Sequence, residues 1–192
     1  MEVLEIREEP ISSLATYGEV SIAFSTETVL DVTDTTDDFA LTERPLDAPF
    51  AKDYDAFPAE HPSNLAARFD LTNAGVLAAL RDGRRVGGAI VLYDTPGVDL
   101  LEGRTDLVLL LDLRVDTSER GRDVGTALFR AAEDWGRAHG CRELKVETQN
   151  VNVAACRFYE RVGCRLGKVN RGVYREFPDE DQLLWFRDLV LP

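Results

Sequence analysis

The chain has 192 residues, 44% hydrophobic and 30% charged. That is enough apolar side chain for one domain with a core, and it excludes a disordered chain. Its formal net charge of -13, from 35 acidic and 22 basic residues, excludes the basic footprint of a nucleic-acid binder. The imbalance is local. Residues 1–60 hold 15 acids and 3 bases, whereas residues 61–192 are close to neutral. Among the bases, nineteen are Arg and only three are Lys (Lys52, Lys145, Lys168). No apolar run reaches the length of a membrane span. Met1–Pro10 is acidic where an export signal would be basic and then apolar. Cys141, Cys156 and Cys164 lack CxxC spacing and read as buried, reduced thiols. A cytoplasmic protein without nucleic-acid or membrane partners is expected.

In chain order, Leu4–Arg7 reads as a first strand, and Pro10 opens a short helical stretch ending near Tyr17. Val29–Thr33 and Phe39–Glu43 alternate in polarity around a polar turn at Asp34–Asp38, as a hairpin does. Residues 44–64 contain four prolines and read as a loop. Gly75–Arg81 and Arg85–Tyr93 flank Asp82-Gly83-Arg84, a strong hairpin signal. Asp106–Val115 is continuously apolar, the mark of a strand covered on both faces. Val124, Leu128, Ala131, Ala132, Trp135 and Ala138 recur at helical spacing up to Gly140. Glu143–Thr148 is a further strand, and Asn152–Val162 a helix closed by Gly163. Arg165–Val169 and Leu183–Leu189 read as the last two strands, with a short extended piece around Val173–Glu176. This order predicts a mixed α/β fold of a single domain over residues 1–192, with at least one parallel pair joined by a crossover helix.

The passage from Val115 to Thr126 joins a buried strand to a helix N-terminus. There, unpaired N–H groups, Gly121 and Gly125, and the charges of Arg120 and Arg122 suit a pyrophosphate. It is neither a Walker loop nor the dinucleotide fingerprint. No His/Cys/Asp cluster has metal-ligand spacing, so no metal is expected. His61 and His139 read as structural. In the second segment, Asn152 opens a helix, Ala155 is small, Tyr159 follows two turns after Asn152 on the same face, and Gly163 caps. Read alone, Tyr159 would be an aromatic core residue.

Together these segments resemble the GNAT N-acetyltransferases over residues 73–189. Asn152, Ala155, Tyr159 and Gly163 match the second half of the family motif. Arg120 and Gly125 match the first half, where Asp123 stands in the place of a glycine and Cys164 in the place of a phenylalanine. LKVETQNVNVAACRFYERVGCRLG, Val173-Tyr174 and the N-terminal segment Ala23–Phe50 further resemble the streptothricin (nourseothricin) acetyltransferases. That family often has Glu-Asp where this chain has Leu111-Asp112.

The resemblance implies a mostly antiparallel sheet with one parallel pair splayed at the acetyl-CoA site, and direct acetyl transfer to a primary amine of a cationic acceptor. On this reading Leu113, Val115, Arg120, Gly121, Arg122, Asp123, Val124, Gly125, Thr126, Asn152, Ala155 and Tyr159 meet acetyl-CoA. Tyr159 protonates the departing thiolate. Asp112 and Glu147 serve the acceptor amine, alongside Tyr174. The residues themselves leave a second account of the two carboxylates: an internal pair with an arginine such as Arg114, or exposure at a strand end. Residues 1–64 are placed on the acceptor side, and the molecule is expected as a monomer or homodimer. A polyamine, an aminoglycoside or a protein N-terminus as acceptor, or a non-catalytic acyl-CoA-binding module, are the alternatives.

Overall fold

The computed structural model describes residues 3–190. Its strands are β1 (Leu4–Glu9), β2 (Phe24–Asp34), β3 (Phe39–Lys52), β4 (Ala74–Arg81), β5 (Arg84–Tyr93), β6 (Leu107–Val115), β7 (Glu143–Gln149), β8 (Arg165–Asn170) and β9 (Gln182–Asp188). Its helices are α1 (Leu14–Tyr17), α2 (Leu65–Arg68), α3 (Val124–Ala138) and α4 (Val153–Arg161). The chain divides into two compact units. One comprises residues up to 23, 53–144 and 188 onward, and the other residues 24–52 and 145–187. The acidic N-terminal third is therefore shared between them.

The first unit is an antiparallel sheet in the order β1-β4-β5-β6. Asp82 and Gly83 turn β4 into β5 with φ of +49° and +77°, the two left-handed positions that a tight hairpin turn requires. Neighbouring residues of β5 show why this sheet is apolar on both sides. A Cβ at Gly87 would press on Val124 and Leu128 of α3, whereas one at Gly88 would meet the Tyr17 ring. With α3 on one face and the α1–α2 segment on the other, Leu107–Leu110 of β6 are at most 1% exposed, as their continuous apolarity predicts. β6 also carries a bulge. Ile90 faces Asp112 and Val91 faces Leu110, leaving Leu111 as an extra residue. β7 begins in this unit with Glu143 and Leu144, after the α3 crossover, and runs parallel to β6. Where α3 ends, the His139 ring stacks on Trp135 at 3.9 Å and its Nδ1 lies 2.8 Å from the Trp135 carbonyl, a structural role.

The second unit holds the order β7-β9-β8 and, apart from it, the β2–β3 ribbon. Here the structure departs from the sequence reading. Residues 44–52, expected as loop, continue β3 through Pro45 and Pro49. A two-stranded ribbon consists only of edges, and a missing proline N–H costs nothing on an outward side. The pairing register shifts between Thr26 and Thr28. The extended piece expected around Val173–Glu176 is instead a turn in which the Phe177 N–H donates to the Tyr174 carbonyl at 3.1 Å.

Asn150 fastens the ribbon to the end of β7. Its carbonyl accepts from the Leu30 N–H (3.1 Å), its Nδ2 donates to the Leu30 carbonyl (3.2 Å), and its N–H and Oδ1 pair with the Asp181 backbone. Arg157 pairs with Glu43 and Arg171 with Asp34. Part of the N-terminal negative charge is thus neutralised by distant arginines. All three cysteines are buried and none is in a disulfide, and burial pushes the Cys156 thiol up to about 12. Among the described residues, no helix is long and apolar enough to cross a membrane and no side-chain group could hold a metal ion.

Gly88→Ala tests the two-sided packing. The new Cβ would press on Tyr17 Cε2 and lie 2.9 Å from the Leu77 carbonyl, so denaturant titration should show a loss of about 1–3 kcal/mol. An unchanged midpoint would contradict the packing.

Candidate active site

In the first unit, the predicted pyrophosphate turn lies between β6 and α3. Asp116 closes the Thr117–Glu119 turn by accepting the Ser118 N–H at 2.9 Å. Gly121 and Asp123 then adopt φ of +78° and +62°. The position where the family motif has a glycine is therefore a left-handed one, and Asp123 occupies it at a cost of about 1 kcal/mol. The Asp123 side chain makes no cap. The first helical hydrogen bond runs from the Ala127 N–H to the Asp123 carbonyl at 2.9 Å. The N–H groups of Val124, Gly125 and Thr126 consequently have no intrahelical acceptor, and the positive end of a 15-residue helix is open to an anion. These residues fit a pyrophosphate.

The two arginines of the turn differ. Arg120 reaches back to the carbonyls of Val115 (3.2 Å) and Ala23 (3.0 Å), so it braces the end of β6. The Arg122 side chain is 56% exposed with only a long contact to Glu119 (3.4 Å), which leaves it accessible to an anion. Glu119 itself is buried among Arg81, Arg84 and Arg122. Leu113 and Val115 occupy the last stretch of β6, opposite Ala89 and Gly87.

Asp112 belongs to a buried cluster. It accepts the Tyr17 hydroxyl at 2.6 Å and both Nε (3.0 Å) and Nη2 (2.5 Å) of Arg114. Arg114 also donates to both oxygens of Asp55 and to the Val20 carbonyl. Its five N–H groups thus meet five acceptors. Burial works against this cation, and the carboxylates of Asp112 and Asp55 outweigh it, raising the Arg114 pKa further. Burial, reinforced by the Asp112 charge, holds the Tyr17 hydroxyl well above its usual range, so it stays a donor. Sequence reasoning named Arg114 as a possible partner and missed Tyr17 and Asp55. Their separation of 95 and 59 residues from their partners leaves no local pattern.

In the second unit, Glu147 and Tyr174 are brought together. The Tyr174 hydroxyl donates to Glu147 Oε1, and the Gln149 amide donates to the same hydroxyl at 2.9 Å. Glu147 and Gln149 share a face of β7 by strand alternation. Gln149 was not singled out in the sequence. Asn152 Oδ1 accepts the Ala155 N–H at 3.2 Å and caps α4. The N-terminus of α4 is thus closed by its own side chain, unlike that of α3. Tyr159 is buried on α4, and the Phe158 ring meets it edge-on at 5.1 Å.

A family match gives the class of protein, an acetyl-CoA-dependent acyltransferase. Residues 41–164 match the Acetyltransferase (GNAT) family, and the chain belongs to that family. It is similar to the streptothricin acetyltransferase of Streptomyces lavendulae, 28% identical over 170 residues that cover 88% of this chain and 86% of the relative. Streptothricin acetyltransferase A of Bacillus subtilis (strain 168) is 33% identical over 78 residues, covering 41% of this chain and 45% of that one. Among solved structures, nourseothricin acetyltransferase superposes with a TM-score of 0.75 at 26% identity, over 97% of this chain and 99% of that one.

Two outcomes test this geometry. Arg114→Met leaves the partly buried Asp112 and Asp55 without their cation, and denaturant titration should show a loss of about 3 kcal/mol. A loss below about 1 kcal/mol would place the cluster in water. Asp123→Gly relieves the left-handed strain and removes a carboxylate from the open helix end. It should raise stability by about 1 kcal/mol and tighten acetyl-CoA binding in calorimetry. Weaker binding would give the Asp123 carboxylate a role in holding the donor.

Proposed function

We propose that this chain moves the acetyl group of acetyl-CoA to a primary amine of a streptothricin-like, polycationic acceptor. The observation that carries the acceptor half is the reach of the similarity to the Streptomyces lavendulae enzyme. It spans 88% of this chain, far more than a cofactor-binding motif would need. That relative is a streptothricin acetyltransferase. A cytoplasmic location, where the three buried thiols stay reduced, is part of this reading.

The residues divide the chemistry. The N–H groups of Val124, Gly125 and Thr126 and the Arg122 guanidinium hold the pyrophosphate. The end of β6 at Leu113–Val115 meets the pantetheine arm, and a backbone N–H there takes the developing oxyanion of the thioester. The acceptor arrives as an ammonium and must lose a proton before it attacks. Glu147, held by Tyr174, takes that proton directly or through a water. The amine nitrogen then bonds to the thioester carbon, the C–S bond breaks, Tyr159 protonates the departing thiolate, and the second proton lost by the nitrogen restores the Tyr159 hydroxyl. Asn152 and Ala155 fix the start of the helix that presents Tyr159. Asp112, saturated by Tyr17 and Arg114, acts as part of the clamp behind Val115 rather than as the base.

Thiol release from acetyl-CoA over a panel of streptothricin, spermidine, an aminoglycoside and an N-terminal peptide tests the reading. Streptothricin should give the highest kcat/KM. Turnover with spermidine but not streptothricin, or none with any amine alongside tight acetyl-CoA binding, would overturn it. Tyr159→Phe and Glu147→Gln should each lower kcat by about 100-fold or more with the acetyl-CoA KM little changed. An unaltered kcat in either variant removes that residue's role.

A further inference from the structure

The β2–β3 ribbon lies outside the segments that meet acetyl-CoA, yet its last residue makes a tight contact with the turn that carries Tyr174. Lys52 Nζ lies 2.5 Å from Glu180 Oε2, with the two side chains only 9% and 5% exposed, and 4.1 Å above the Phe177 ring. In a chain whose bases are nearly all arginine, a lysine at this place is informative. Its compact ammonium lies between a carboxylate and a ring face.

The turn it contacts has no helix or strand of its own and is fixed at a few points. The Phe177 N–H donates to the Tyr174 carbonyl (3.1 Å), the Glu180 N–H to the Phe177 carbonyl (3.0 Å), and Asp181 exchanges bonds with Asn150. These steps connect Glu180 to Tyr174 through two backbone bonds. Glu180 Oε1 is buried without a hydrogen-bond partner among the described residues, so the hold on that carboxylate runs through Lys52. Without the ammonium, a buried anion is left uncompensated and is drawn toward water, and the turn moves with it.

We propose that Lys52 is a positioning residue for the acceptor: through Glu180 it holds the Tyr174–Asp181 turn so that the Tyr174 hydroxyl stays on the Glu147 carboxylate. This rests on the reading of Glu147 and Tyr174 as the acceptor-side pair. The ribbon thereby has a second task beyond its charge. It sets the geometry at which the amine loses its proton.

The test compares Lys52→Met, Tyr174→Phe and the combined variant in the full-length protein, with streptothricin and acetyl-CoA as substrates. Lys52→Met should raise the acceptor KM or lower kcat by about 10- to 100-fold and leave the acetyl-CoA KM unchanged. In the Tyr174→Phe background it should add nothing, because both act on one hydrogen bond. Lys52→Met with Glu180→Gln removes both charges, which guards against a fold lost to the orphaned anion, and it should keep the acceptor defect. Independently of turnover, trypsin should cut Lys52→Met faster than the parent after Arg171 and Arg175, on either side of Tyr174.

Multiplicative effects in the combined variant, or cutting at the parental rate, would overturn the proposal. Faster cutting together with a Glu147→Gln variant of unaltered kcat would sink the acceptor-side reading while leaving the tether intact.

Discussion

Arg114 is 2% exposed and carries a full positive charge, so each of its five N–H groups has to find its acceptor within the protein. That requirement ties together pieces of chain far apart in sequence. Asp112 comes from the same strand, the Val20 carbonyl from the segment after α1, and Asp55 from the turn that follows β3. The Tyr17 ring lies 5.0 Å from the guanidinium while its hydroxyl meets Asp112. Tyr17 in turn fits only because residue 88 has no side chain. The bulge at Leu111 falls one residue before this cluster and Val115 one residue after it. The strand end assigned to the thioester is therefore held from behind by a saturated network, and its geometry is set before any ligand arrives.

The two helix starts show how local chemistry sorts roles. At α4 the Asn152 side chain accepts the first-turn N–H and closes the helix. At α3 the corresponding residue is Asp123, forced into a left-handed conformation and unable to cap. The first-turn N–H groups and the positive end of the dipole are left without a side-chain cap, and we propose that they take the diphosphate of the donor. On that proposal, strain at Asp123 and affinity for the donor are linked through one residue.

Much of this was legible in the sequence. The alternating runs located the start of the β2–β3 hairpin, the apolar runs located β4, β5 and β6, the Asp-Gly pair located the turn between β4 and β5, and the helical spacing located α3. Those signals are local, and the residues they involve interact with near neighbours. The same holds for Asn152 as a helix start and for the turn at Gly121–Asp123. What the sequence could not reveal depends on pairs distant along the chain. Pro45 and Pro49 argued for a loop, because only pairing with β2 shows both strands to be edges. Tyr17, Asp55 and Lys52 look like surface or core filler until the fold brings Arg114 and Glu180 to them. Glu147 and Tyr174 were named separately, and the hydrogen bond between them is a tertiary fact.

The N-terminal negative charge takes a different meaning in three dimensions. Asp31, Asp34 and Glu43 of the ribbon are paired with Arg44, Arg171 and Arg157, whereas Glu27, Asp37 and Asp47 carry no ion pair among the described residues. The net field that remains is negative, and it favours a multiply charged amine over a neutral or anionic one. The most direct measurement is kcat/KM for streptothricin against ionic strength, beside a monoamine acceptor in the same buffers. The account predicts a steep fall with salt for streptothricin and a nearly flat response for the monoamine. Equal responses for both, or higher kcat/KM for the monoamine at low salt, would contradict it.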